Sequence, residues 1–97
     1  MRVVYTDEAL RDLDAAVSYI AQNYPAALNG FRRRLRTIEQ RIAKWPKSAE
    51  AVAQRPNVRA LPFIRYPYRM FYQVTNEAVE ILHIHHAARS AALGILV

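Results

Sequence analysis

With 97 residues, 53% of them apolar, the chain is long enough for one packed domain over residues 1–97 and too short for two. The absence of cysteine excludes disulfide staples, thiolate metal sites and a thiol nucleophile, and fits a reducing cytoplasm. Its 14 basic against 8 acidic residues leave a net charge of +6, which favours polyanionic partners: nucleic acid, an enzyme that works on nucleic acid, or an acidic protein.

Residues 2–5 are rich in β-branched side chains and predict a first strand. Thr6 then offers a helix N-cap, and Asp7 and Glu8 fall in the first turn, where the helix dipole favours negative charge. Leu10, Leu13, Val17 and Ile20 recur at helical spacing and predict an amphipathic helix. Asn23-Tyr24-Pro25 breaks it; Asn suits the cap at the end of one helix and Pro the first turn of the next. A second helix is predicted over residues 25–44. Its Phe31, Leu35, Ile38, Ile42 and Trp45 alternate in steps of four and three, the stripe of a helix that packs in a hairpin and on a sheet. Arg32, Arg33, Arg34, Arg36, Arg41, Lys44 and Lys47 place half of all the basic residues in this one segment, and Pro46 ends the helix.

Residues 48–57, between two prolines, read as a loop. Residues 58–64 predict the second strand, and Pro62 inside it argues for an edge position or a bulge. After a turn at Tyr66-Pro67, residues 69–75 predict a third strand with Met70, Tyr72 and Val74 on one face and Arg69, Phe71 and Gln73 on the other. A turn at Asn76-Glu77 leads into a fourth strand over residues 79–85. This strand is apolar on both faces around Ile81, Leu82 and Ile84, as in a central strand covered by helices on at least one side. No apolar run approaches the roughly 20 residues that span a bilayer, and no secretory signal is visible. The pattern predicts an α+β fold: an N-terminal strand, an antiparallel helix hairpin and a three-stranded antiparallel meander in a cytoplasmic protein.

Arg59, Arg65, Arg69 and Arg89 are the first candidates for chemistry, because guanidinium groups fork onto phosphates and carboxylates. The same spacing also fits edge arginines paired with Glu77 and Glu80. His83 and His85 share one strand face, with His86 on the other. Two imidazoles can begin a metal site, but no acidic or cysteine partner lies nearby in sequence. No metal and no cofactor is therefore expected, and the commoner fate of such residues is packing at a strand end. One histidine could instead act as a general base. The basic helix is either a solvated face or a stripe for a polyanion or acidic peptide. The two glycines, Gly30 and Gly94, are too far apart for a phosphate loop.

Tyr68-Arg69-Met70-Phe71-Tyr72-Gln73-Val74 resembles the tyrosine–arginine strand of the RelE/ParE family, the toxins of bacterial type II toxin–antitoxin pairs. His85-His86-Ala87-Ala88-Arg89 resembles the histidine-x-x-arginine ending found particularly in its ParE-like members. The likeness runs from Arg2 to about Arg89. The family's ribonuclease branch cleaves messenger RNA on the ribosome, using lysines on the second strand, arginines on the third strand and after the fourth, and a late tyrosine. Arg69 and Arg89 match the arginines. Ala60 and Pro62 stand at the lysine positions in an ungapped placement, and no tyrosine follows Tyr72.

The resemblance thus implies the ParE-like branch: a plasmid-stabilisation-type toxin that poisons DNA gyrase without catalysis of its own. Its partners would be DNA gyrase and an acidic, ParD-like antitoxin that folds on binding. Arg59, Arg65, Arg69 and Arg89 are the expected target-binding residues. Leu13, Val17, Ile20, Phe31, Leu35, Arg32 and Arg36 are the expected antitoxin-binding residues. The alternative is a ribosome-dependent messenger RNA endoribonuclease working through Arg69, Arg89, His85 and His86. A third possibility is a non-toxic member that keeps only its antitoxin interface. Direct contact with nucleic acid is left open, and the apolar tail over residues 91–97 is expected to help bind target or antitoxin.

Overall fold

A computed structural model of the chain describes residues 1–88. Arg89 and the apolar tail, with the expectations placed on them, lie outside the described residues.

The elements are β1 (Arg2–Tyr5), α1 (Asp7–Asn23), a 3-10 turn (Pro25–Ala27), α2 (Leu28–Lys44), β2 (Glu50–Val52), β3 (Arg55–Pro62), β4 (Tyr68–Val74) and β5 (Ala78–His86). The strands form one sheet in the order β1-β5-β4-β3-β2. β1 runs parallel to β5, and every other neighbouring pair is antiparallel. The meander therefore has one strand more than expected. β2 lies in the stretch read as a loop, and β3 begins at Arg55 rather than at residue 58. β2 is three residues long and buries only Val52, so it carries no alternation for a sequence reading to find. Pro62 closes β3 beyond the reach of β2, whose pairing stops at Ala60, and so occupies the edge position that a missing N–H demands.

Thr6 caps α1 as expected: its Oγ1 accepts from the Ala9 N–H at 3.1 Å. The same hydroxyl reaches the carbonyls of Ile81 at 3.1 Å and Leu82 at 3.2 Å, fixing the start of α1 to the edge of β5. At the other end the cap is Tyr24, not Asn23; the Asn23 amide instead donates back to the Tyr19 carbonyl. Pro25 opens the 3-10 turn, and the α-helix starts only at Leu28.

Both helices pack on one face of the sheet. Ala9, Ala16 and Ile20 of α1 and Phe31, Ile38 and Ile42 of α2 meet Leu61, Phe63, Tyr68, Met70, Tyr72, Val79, Ile81 and Ile84 in the main core. The alanines let α1 approach the sheet closely. The larger side chains of the expected stripe, Leu13 and Val17, turn to its flank, and Leu10 is 51% exposed. Trp45 likewise lies outside the core, exposed under the Lys44 ammonium at 4.7 Å from its ring centroid. On the opposite face Val52, Val58, Ala60 and Phe71 form a smaller cluster with Leu82, and among the described residues no helical one joins it.

Candidate functional site

The alternation of β4 holds as the sequence predicts: Tyr68, Met70 and Tyr72 face the helices and Phe71 faces away. β5 does not alternate strictly. Phe71 pairs with His83 and Tyr72 with Ile81, so Leu82 is an extra residue in the ladder. This bulge flips every side chain that follows it. Ile84 takes the helix side with Ile81, while His83 and His85 project from the other face, with ring centroids 4.8 Å apart. His86 returns to the helix side, its ring edge-on to Tyr68 at 5.4 Å.

β1 ends at Tyr5, opposite Ile81, and among the described residues no strand neighbours the last residues of β5 on that side. α1 covers the gap. Asp12 Oδ2 accepts the Ile84 N–H at 3.1 Å, in the place where a neighbouring strand would have offered a carbonyl. The same oxygen lies 3.2 Å from His83 Nδ1 and 3.7 Å from His85 Nε2. Asp12, His83 and His85 thus form a cluster whose ligand atoms all lie within 4.8 Å of one another. The acidic partner that the sequence lacked around the histidines comes from 71 residues away. No local signal could have found it. Beside the cluster, Asp12, Ala15, Tyr19, Tyr68, Ile84, His85 and His86 line a hollow of about 320 Å³. Burial, with a smaller contribution from Tyr19, pushes the Tyr68 phenol above its ordinary range.

The three expected arginines among the described residues, Arg59, Arg65 and Arg69, do not share one face of the sheet. Arg59 pairs with Tyr72 and faces the helix side, where its Nη1 donates to the carbonyls of Lys47 at 3.1 Å and Ala49 at 2.7 Å. Beside it Tyr72 donates to the Pro46 carbonyl at 2.6 Å, so both side chains anchor the link between α2 and β2. Arg69 lies on the other face, exposed, its guanidinium 5.4 Å from the centroid of the Phe71 ring and its backbone paired with His85. Arg65 sits in the β3–β4 turn with φ 78°, next to Ile64 with φ 22°. Positive φ at two successive non-glycine residues, one of them β-branched, is strained backbone that presents Arg65 outward. Ala60 and Pro62 pair with Phe71 and Arg69, so the strand beside Arg69 offers no ionisable side chain at these positions.

The expected antitoxin-binding residues divide by burial. Phe31 is fully buried and Ile20 nearly so, both inside the chain's own core. Leu13, Val17, Leu35 and Arg32 line a separate hollow of about 360 Å³ between the helices, with Leu10 and Asp14. Arg36 is exposed on α2.

A two-helix layer on one face of a five-stranded mixed sheet is the fold of RelE/ParE-type toxins. The chain superposes on a structure from the chromosomal ParDE toxin–antitoxin system of P. aeruginosa with a TM-score of 0.74 at 22% identity, over 89% of this chain and 95% of that one. It also superposes on the E. coli toxin RelE, as a mutant bound to an antitoxin RelBc peptide, with a TM-score of 0.65 at 15% identity, over 98% and 94% of the two chains. The family described as ParE toxin of type II toxin-antitoxin system, parDE, matches residues 3–91, and the chain belongs to it. Toxin RelE2 of Caulobacter vibrioides is 36% identical over 89 residues, which cover 91% of this chain and 97% of that protein.

Proposed function

We propose that this toxin acts by binding and poisoning DNA gyrase, and that it is held inactive by an acidic antitoxin. One observation carries the choice of target. A nuclease of this fold needs a base, an acid and concentrated positive charge around the scissile phosphate. On the strand beside Arg69, the paired positions hold Pro62 and Ala60, and Arg59 is turned to the opposite face. An arginine with no ionisable side chain at these β3 positions beside it suits recognition of a carboxylate or phosphate more than phosphoryl chemistry. Purified gyrase, supercoiled DNA and ATP provide the test. Linear DNA released only after detergent and protease is the expected product, and unaltered supercoiling at saturating toxin overturns the gyrase reading.

A second reading has its own support. His85 pairs with Arg69 across the strands and has a carboxylate, Asp12, within 3.7 Å, an arrangement that could orient an imidazole base beside a phosphate-binding arginine. Programmed ribosomes with labelled messenger would then show cleavage that His85→Ala abolishes.

For the antitoxin, the interhelical hollow is lined by apolar Leu10, Leu13, Val17 and Leu35 together with Arg32 and Asp14, and Arg36 is exposed on the same helix as Arg32; the apolar floor and the basic α2 support docking of an amphipathic acidic segment. Leu35→Glu should weaken antitoxin affinity about tenfold or more while leaving the fold intact, because Leu35 is only half-buried. Phe31 cannot serve this test. Removing a fully buried aromatic ring costs about 3–5 kcal/mol of stability and would mask any effect on binding.

A further inference from the structure

We propose that Asp12, His83 and His85 form a binding site for a zinc-like divalent cation that ties α1 to the edge of β5 beyond the end of β1. The donor set is two imidazole nitrogens and one carboxylate oxygen, the composition that a borderline cation such as Zn²⁺ takes with one position left for water or for a donor from a partner. Ligand atoms around a tetrahedral zinc lie about 3.3 Å apart, given metal–ligand bonds of about 2.0–2.1 Å. The Asp12 to His83 separation of 3.2 Å and the Asp12 to His85 separation of 3.7 Å already match this spacing. The remaining separation, between the two imidazole nitrogens, is no more than 4.8 Å, so one ring must turn toward the other for both to reach the ion.

Three further features mark a built arrangement. The bulge at Leu82 is what turns His83 and His85 together onto the face away from the core. The Ile84 N–H holds the Asp12 carboxylate, the kind of outer hydrogen bond that orients a metal ligand. The three side chains are partly exposed, 28% for Asp12, 28% for His83 and 16% for His85, so an ion can reach them without the fold opening. A hydrogen-bonded Asp–His pair alone explains the His83 contact. His85 brings a second imidazole nitrogen to the same oxygen. The bound ion would replace a hydrogen-bonded contact at this edge with two metal–nitrogen bonds and one metal–oxygen bond. It would also sit at the end of the hollow that Tyr19, Tyr68 and His86 share.

The test uses tag-free full-length toxin and Zn²⁺ or Co²⁺ alone. One equivalent of Zn²⁺ by calorimetry, a visible Co²⁺ spectrum of tetrahedral type, and a melting temperature that Zn²⁺ raises and a chelator restores are expected. Asp12→Asn keeps an acceptor for the Ile84 N–H, and it and His85→Gln should each lower affinity about tenfold or more. His86→Gln, on the other face, should not. Equal binding in Asp12→Asn, His85→Gln and the parent chain, or only the spectrum of hydrated Co²⁺, overturns the site and leaves surface binding. Should Asp12→Asn fail to fold, His85→Gln and the cobalt spectrum of the parent protein still decide the matter. Gyrase and ribosome assays play no part in these readouts, so failure of the site and failure of the proposed target remain separate results.

Discussion

Arg59 and Arg69 are the same residue type on neighbouring strands, and the pleat gives them different work. Arg59 satisfies two backbone carbonyls of the segment joining α2 to β2. Its replacement by alanine should cost about 1–3 kcal/mol in chemical denaturation, the usual worth of charged hydrogen bonds, and lower toxicity only as far as the folded fraction falls. Arg69 is exposed over the Phe71 ring, a contact worth about 0.5–1 kcal/mol. Arg69→Ala should therefore stay within about 1 kcal/mol of the parent protein while, on the proposed gyrase reading, sharply reducing DNA cleavage by gyrase. If instead Arg59→Ala folds normally and loses activity, the two roles are reversed. Both arginines were legible as candidates. Their separation onto opposite faces follows from strand register, which single residues do not announce.

At the scale of elements, the caps and close approaches set the geometry. Thr6 both caps α1 and bonds the β5 edge. Thr6→Ala should cost about 1–2 kcal/mol, and Thr6→Ser should recover most of it because the hydroxyl remains. A denaturation series of the two variants checks this, and equal loss in both would show that the methyl group, not the oxygen, matters. Gly30 offers a sharper case. A Cβ there would lie 2.3 Å from the Tyr66 hydroxyl oxygen, which reaches from the β3–β4 turn onto α2. Alanine ordinarily stabilises a helix interior by about 0.5–1 kcal/mol over glycine. Gly30→Ala alone should forfeit that gain by displacing Tyr66, whereas in a Tyr66→Phe background, with the hydroxyl gone, the gain should appear. Additive effects across this double-mutant cycle would show that the two residues do not compete for one space.

Over the whole molecule, three tyrosines link stability to alkaline pH. Burial, reinforced by the hydrogen bond to Glu39 and by its charge, raises the Tyr5 phenol far above its ordinary value near 10. Burial raises Tyr68 as well, and Tyr72 against the opposing influence of the Ala49 backbone and of Arg59 and Arg41. In the unfolded chain these groups lose their protons near pH 10; in the folded chain they keep them longer. The folded state then binds more protons than the unfolded one above that pH, so stability should be level through neutrality and fall as pH rises past about 10. Melting temperatures from pH 8 to 11 would show the fall, and Tyr5→Phe should flatten it. An unchanged slope in that variant would remove Tyr5 as a contributor. No helix among the described residues is long and apolar enough to cross a membrane.

The sequence by itself determined the two helices, the β1, β4 and β5 strands, the cap at Thr6 and the family, because helical and strand periodicity and the Tyr68–Val74 motif are local patterns. It did not disclose β2, which is too short to carry a period, or the exposed position of Leu10. There the sheet selects alanines for close approach, a preference that hydrophobicity alone does not express. Only the tertiary structure decided which face His83 and His85 take. Strict alternation would have put them with Ile81 beneath the helices, and the one-residue bulge at Leu82 sends them to the other side. Only the fold, likewise, brings Asp12 to them. β1 stops after four residues, the Ile84 N–H of β5 beyond it needs an acceptor, and α1 supplies one in Asp12. Side-chain clusters of this kind are properties of chain crossing, and no spacing within either segment encodes them.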